Sequence, residues 1–362
     1  MGFSCGIIGL PNSGKSTIFN ALTALCVASL PYPFCTIEPN IGIIPVPDIR
    51  LTTLAGLLKP EKVTPTTIEF IDIAGLIKDA HKGEGLGNRF LGHIRAVDAT
   101  GHALRCFEGN NVPHVYSDID PVRDAEIVET EIIISDLEIV EEHLKKIERV
   151  AKLSKEKHGE ERDVLLKVKE TLERGDFVEA EGFTEEEGLT LRSFNLITTK
   201  PVFYIANVDE KDLDKIPIRQ VEDLGRKKGR RVVYICGKLE EELAQLPQSE
   251  KGSFMELYSM EESGIEKIIR VGYEILDLIT FYTVVGKAMT AWTVKKHTPA
   301  VKAAGKIHSD MERGFIRAEA VSYEDFVKCG SEHAAREKGL IHVEGKEYLI
   351  RDGDILHIRF NI

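Results

Sequence analysis

The sequence predicts an α/β protein. A P-loop nucleotide-binding domain with a mostly parallel sheet is interrupted by an inserted antiparallel helical coiled coil and followed by a small C-terminal β domain. Three observations predict this. Short apolar runs recur at Phe3–Gly9, Ile41–Val46, Thr67–Ile71, His102–Phe107, Val202–Ala206 and Val232–Cys236, separated by stretches of helical spacing. Strands covered by helices on both faces read this way. The first run leads into Gly9-Leu-Pro-Asn-Ser-Gly14-Lys15-Ser16, a phosphate-loop pattern. From Asp124 to about Glu173 strand signals vanish, and Ile133, Leu137, Val140, Leu144 and Ile147 alternate spacings of four and three, a heptad seam.

Taken in order, the elements follow from local chemistry. The first strand ends in Gly and Pro, and Ile18, Leu22 and Leu25 give Ser16–Leu25 helical spacing. The heptad seam breaks at His158-Gly159 and resumes at Leu165, Val168 and Leu172, which predicts two helices folded back on each other. The first is acidic from Asp118 to Glu142 and basic from Lys145 to Lys157; a solvated face accounts for such charge runs. Near the C-terminus, apolar segments flank Asp352-Gly353, the signature of a hairpin turn. The expected division is 1–120 with 199–279 for the nucleotide domain, 121–198 for the insert, and 280–362 for the tail.

The length of 362 residues suits two or three domains. No run reaches 18 uninterrupted apolar residues, so no membrane span is expected. No basic region followed by an apolar stretch and a cleavage site opens the chain. The six cysteines are scattered without a Cys-x-x-Cys pair, which reads as reduced thiols in a cytoplasmic protein. The formal charge of −12 argues against wholesale coating of nucleic acid. It leaves room for a local patch: Phe281 to Ser309 holds Lys287, Lys295, Lys296, Lys302 and Lys306 and no acid.

The phosphate loop carries specific chemistry. Its glycines let the backbone N–H groups from Ser13 through Thr17 face phosphate oxygens, and the helix N-terminus adds partial positive charge. Asn12, Ser13, Gly14, Lys15, Ser16 and Thr17 are the expected cradle. Lys15 reaches the β- and γ-phosphates, and the Ser16 hydroxyl ligates Mg²⁺. Asp72-Ile-Ala-Gly75 ends the strand Thr67–Ile71: Asp72 is placed to hold Mg²⁺ through water, and the Gly75 N–H to approach the γ-phosphate. Thr36, between the two motifs in the loop before the next strand, is the expected second metal ligand of a switch. Alone it would be an ordinary loop residue. Leu76 stands where many GTPases carry a water-positioning glutamine, and leucine cannot hydrogen-bond water. The following Lys82-Gly-Glu-Gly-Leu-Gly-Asn is rich in glycine.

The base site departs from the guanine reader. GTP-binding proteins end a strand in Asn-Lys-x-Asp, whose aspartate accepts from the N1 and N2 donors of guanine. Here the strand ends Asn207-Val208-Asp209-Glu210. The lysine is missing and the final acid is one methylene longer. Adenine fits if Asn207 and nearby backbone, with Gly237 after the last strand, supply the hydrogen bonds.

These residues closely resemble the YchF family, also called Obg-like ATPases. The matching pieces are Gly-Leu-Pro-Asn-Ser-Gly-Lys-Ser-Thr (9–17), Tyr-Pro-Phe-Cys-Thr-Ile-Glu-Pro-Asn (32–40), Asp-Ile-Ala-Gly-Leu (72–76), Lys-Gly-Glu-Gly-Leu-Gly-Asn (82–88), Arg-Cys-Phe-Glu (105–108) and Tyr-Ile-Ala-Asn-Val (204–208). Arg-Ala-Glu (317–319), Tyr-Glu-Asp-Phe (323–326) and Glu-Gly-Lys-Glu-Tyr (344–348) follow near the C-terminus. The resemblance spans essentially the whole chain. It implies a C-terminal TGS domain of β-grasp type, weak ATP hydrolysis with Mg²⁺, and association with the ribosome, its large subunit or rRNA. It also implies a part in translation or stress responses. Separately, no membrane partner is expected, and the expected state is a monomer. The family places catalysis on a histidine in place of the missing glutamine, and the matching position is His114, where an imidazole can orient water or act as a weak base. Two other readings stay open: a GTPase of the same fold, with Asp209 or Lys238 rescuing guanine recognition, and a nucleotide-gated scaffold with incidental hydrolysis.

Overall fold

A computed structural model describes residues 3–28, 37–38, 41–73, 86–108, 113–116, 118–153, 159–179, 182–210 and 216–361. Two sheets organise the chain. The first takes β1 (Phe3–Ile8), β2 (Ile37–Glu38), β3 (Ile41–Pro45), β5 (Thr67–Asp72), β6 (Ala99–Arg105), β7 (Val202–Asn207) and β8 (Val232–Ile235), in the order β2-β3-β5-β1-β6-β7-β8. All pairs from β5 to β8 are parallel; β3 runs antiparallel to β5 and β2 to β3.

Helices cover both faces. On one, α1 (Lys15–Ala28), α8 (Gly237–Gln245) and α10 (Gly264–Ile275) pack; Ile18, Leu22, Ile265 and Ile268 meet Cys5 and Ile7 of β1. On the other lie α3 (Leu86–Ala96), α4 (Pro121–Leu153) and α7 (Ile216–Lys227), where Ile8 meets Phe90, Ile94 and Val128. This two-sided cover buries every residue of β6 and explains the near-continuous apolar runs. Burial pushes the thiols of Cys5 and Cys106 up to about 12, so neither is reactive at neutral pH. A further helix, α9 (Gln248–Leu257), follows α8.

The insert is a helical hairpin of α4 and α5 (Gly159–Glu173), capped by α6 (Glu185–Ser193). Ile133, Val140, Leu144 and Ile147 of α4 pack against Val164, Leu165, Val168 and Leu172 of α5, with Leu137 partly buried beside them. Lys169 reaches back to Glu141 at 2.9 Å, as antiparallel helices joined by a short connection require. No helix among the described residues is long and apolar enough to cross a membrane.

The second sheet runs β12-β11-β13-β9-β10-β4. Its strands are β4 (Lys62–Thr64), β9 (Leu278–Val285), β10 (Ala288–Lys295), β11 (Phe315–Val321), β12 (His342–Glu344) and β13 (Ile355–Phe360). This β-rich tail also carries α11 (Ala300–Ile307), α12 (Ser309–Arg313), α13 (Tyr323–Cys329) and α14 (Glu332–Glu337). The expected hairpin at Asp352-Gly353 is not formed. The turn exists, but Gly353 N–H donates to Thr280 O at 2.8 Å and Asp354 O accepts from Tyr282 N–H at 2.8 Å. The chain is thereby pinned across onto β9 and runs on as β13, parallel to β9 and antiparallel to β11. Leu349 bridges Pro299 instead.

One excursion escaped the sequence reading. Between β3 and β5 the chain leaves the first sheet, forms α2 (Ile49–Leu58) and β4, and returns. Strand β4 pairs in parallel with β10, and Leu51 and Leu54 of α2 are buried against Tyr282, Met289 and Ala291. Asp48 caps α2 through Arg50 N–H at 3.0 Å. Arg50 in turn pairs with Asp48 at 3.0 Å and with Asp352 at 2.8 Å.

Candidate functional site

The phosphate loop sits between β1 and α1, where a parallel strand hands the chain to a helix N-terminus. Two left-handed residues make the turn possible: Asn12 at φ 65° and Gly14 at φ 92°. A Cβ on Gly14 would lie 2.0 Å from the Asn207 amide nitrogen, so the close approach of these two segments needs glycine there. Asn207, at the end of β7, donates from Nδ2 to Ser13 O at 3.1 Å and accepts from Gly237 N–H at 3.2 Å. A Cβ on Gly237 would stand 3.2 Å from Thr17 Cγ2. Asn207 therefore ties the phosphate loop to the base-side turn before α8.

Lys15 is 6% exposed, and its Nζ donates to Leu10 O at 2.8 Å. Burial lowers its pKa to about 8, against the opposing pull of Asp72. Ser16 Oγ donates to Asp72 Oδ2 at 3.1 Å, while Asp72 Oδ1 is buried without a partner. The Ser13 hydroxyl is likewise buried and unpartnered. A buried cation, a free carboxylate oxygen and a hydroxyl beside it form a donor set suited to a phosphate with a hard divalent cation. Thr36, Gly75 and Leu76 lie outside the described residues.

At the base side, Val208 buries its side chain with Leu104, Cys106 and Ala206, leaving 4% exposed. It offers no polar group where the guanine reader has lysine. Asp209 and Glu210 are exposed, and Asp209 Oδ1 accepts from Glu210 N–H at 2.8 Å.

His114 is brought close to the loop by its neighbour: Pro113 O accepts from Asn12 Nδ2 at 3.0 Å and from Arg105 Nη1 at 3.4 Å. The imidazole itself turns to α4. Its Nε2 meets Asp124 Oδ2 at 2.8 Å, and its Nδ1 accepts from Tyr116 N–H at 3.0 Å. Sequence reasoning missed Asp124 and Arg105 as part of this site. Asp124 read as one acid in an acidic run, and no local spacing links it to a histidine ten residues earlier.

The basic stretch of the tail is less basic in space than in sequence. Lys287 pairs with Glu61 and Lys302 with Glu312, while Lys306 lies over the Phe3 ring at 5.6 Å. Lys295 and Lys296 stay exposed.

Comparison with known proteins gives full-length matches. The YchF-GTPase_C family model, described as a protein of unknown function, matches residues 278–361, and a model described as a 50S ribosome-binding GTPase matches residues 4–146. Proteins named ribosome-binding ATPase YchF from Haemophilus influenzae, Escherichia coli O157:H7 and Bacillus subtilis are 45%, 44% and 44% identical, each comparison covering 100% of both chains. The solved structure titled as the YchF GTPase of Schizosaccharomyces pombe is 34% identical, with a TM-score of 0.89 over 99% of this chain and 97% of that one.

Proposed function

The chain belongs to the YchF family, and we propose that it is a slow, Mg²⁺-dependent ATPase whose nucleotide state sets its association with the ribosome. The observation that carries the choice of base is the buried valine at position 208, which removes the lysine of the guanine reader and replaces it with core packing. Asn207 remains: its amide bonds Ser13 and Gly237, and its second N–H and second lone pair are left for the base, beside backbone around Gly237 and Glu210.

In this reading Asn12, Ser13, Gly14 and Thr17 line the phosphates, and Lys15 exchanges its bond to Leu10 O for the β- and γ-phosphates. Gly75 N–H meets the γ-phosphate. Ser16 and Asp72, with Thr36, hold Mg²⁺, which when bound neutralises charge on the phosphate oxygens. The unpartnered Asp72 Oδ1 supports that assignment. Water attacks the γ-phosphorus as the bond to the bridging oxygen breaks, and His114 orients that water in place of the glutamine that Leu76 lacks. The partner is the ribosome, with rRNA met by Lys295 and Lys296, and the protein works in the cytoplasm.

Hydrolysis under single-turnover conditions tests the chemical half. Lys15→Ala abolishes ATP binding. His114→Ala leaves ATP affinity within about twofold and lowers the rate by about 10². Unchanged hydrolysis in His114→Ala removes that residue from the mechanism.

A further inference from the structure

We propose that Asp124 is a positioning residue that governs His114: it holds the imidazole against the first turn of α4, and ATP hydrolysis requires that bond to open. The proposal rests on the reading of His114 as the group that orients water.

Among the described residues, the pair is nearly buried. The two side chains are 7% and 4% exposed and meet at 2.8 Å. Nδ1 lies 3.0 Å from Tyr116 N and 3.2 Å from Tyr116 O, and Nε2 lies 2.8 Å from Asp124 Oδ2, so each ring nitrogen has a partner whichever carries the hydrogen. Both ring nitrogens are thus spent inside the protein. Neither is free to bond a water, and a group that orients water needs one ring nitrogen free to donate or accept.

Asp124 is itself fixed. Its backbone N–H donates to Asp120 O at 3.0 Å within the start of α4. Its second oxygen accepts from Arg123 Nη2 at 3.2 Å, and the Arg123 guanidinium lies 4.7 Å from the centre of the Tyr116 ring. The acid, the arginine and the tyrosine form one wall around the histidine. The backbone beside His114 is held by Asn12 and Arg105 through Pro113 O. With that anchor kept, the ring is freed by rotation of its own side chain, without departure of the loop from the phosphate loop.

The same helix also contacts α3. Asp136, three turns along α4, pairs with Arg95 of α3 at 2.8 Å, and Ser135 accepts from Arg95 at 2.9 Å. Because α4 carries the helical insert, a partner that shifts the insert acts on His114 through Asp124 and on α3 through Asp136.

The test uses the full chain at saturating ATP and Mg²⁺. Asp124→Asn keeps shape and an acceptor oxygen but loses the charge; Asp124→Ala removes the bond. Single-turnover hydrolysis is expected to rise about threefold in Asp124→Asn and about tenfold in Asp124→Ala, with ATP affinity within about twofold of the parent. In a His114→Ala background neither substitution changes the rate. A general loosening of the fold would act with or without the histidine, so this arm separates positioning from structure. Thermal melting identifies a variant that fails to fold, and the milder Asp124→Asn then decides. Rates that fall or stay level in the folded Asp124 variants overturn the proposal, as does an equal gain in the His114→Ala background. Should His114→Ala alone hydrolyse at the parent rate, the reading of His114 fails first and takes this proposal with it; a slow His114→Ala beside inert Asp124 variants overturns this proposal alone.

Discussion

Lys15 is a cation kept nearly dry, with one carbonyl for company. Burial brings its pKa down from 10.5 to about 8. Between those values the unfolded chain holds more protons than the folded one, so this residue's contribution to stability rises with pH there. The same shift bears on ATP. Phosphate oxygens favour the charged amine, so ATP binding above pH 8 draws a proton onto Lys15. Calorimetry in two buffers of different ionisation enthalpy is expected to show uptake approaching one proton at pH 9 and little at pH 7. No uptake at either pH would mean that Lys15 is fully charged in the empty site. The neighbouring Asp72 shows what a single chain position can and cannot reveal. The motif placed it beside Ser16, and the structure gives 3.1 Å. That one of its oxygens is buried and unpartnered follows only from packing.

Legibility at the scale of elements tracks how local the deciding contacts are. The strands of the first sheet read clearly because both faces are buried, and the α4–α5 hairpin because its seam repeats. The Asp352-Gly353 hairpin misread has the opposite cause. Its turn chemistry is right, but Thr280 and Tyr282, some seventy residues away, take the hydrogen bonds that a hairpin partner would have taken. The excursion of α2 and β4 was missed for the same reason. Lys62-Val-Thr carries almost no strand signal of its own, and only β10 makes it a strand. This excursion joins β3 to β5, which ends at Asp72, and its middle is built into the second sheet. Leu54 is fully buried there. Leu54→Ala is expected to cost about 2–5 kcal/mol and to raise amide exchange in β9 and β10, far along the chain. Faster exchange confined to α2 and the first sheet would show that the excursion is not part of the second sheet's core.

For the whole molecule, an acidic chain is proposed to meet an RNA-rich partner, so the contact has to be local. In the basic stretch from Phe281 to Ser309, Lys287 and Lys302 pair with carboxylates and Lys306 lies over the Phe3 ring, while Lys295 and Lys296 are exposed. Phosphate contacts release counterions and weaken as salt rises. Replacing Lys295 and Lys296 with glutamate is expected to reduce ribosome co-sedimentation at moderate salt without changing ATP affinity. Parent-like pelleting at every salt concentration would place the contact elsewhere, for instance on the helical insert. The division proposed from sequence, with the tail starting at 280, assigns α2 and β4 to the nucleotide domain, although both are packed into the second sheet. The two sheets therefore share the segment of chain between β3 and β5.

The central claim is that this phosphate-loop protein selects adenine because Val208 has closed the guanine reader. ATP and GTP titrated side by side by calorimetry, in the same buffer with Mg²⁺, test it most directly. The account predicts that ATP binds at least about tenfold more tightly, roughly 1.4 kcal/mol. Equal affinities, or tighter GTP, would contradict it and make the protein a GTPase of the same fold.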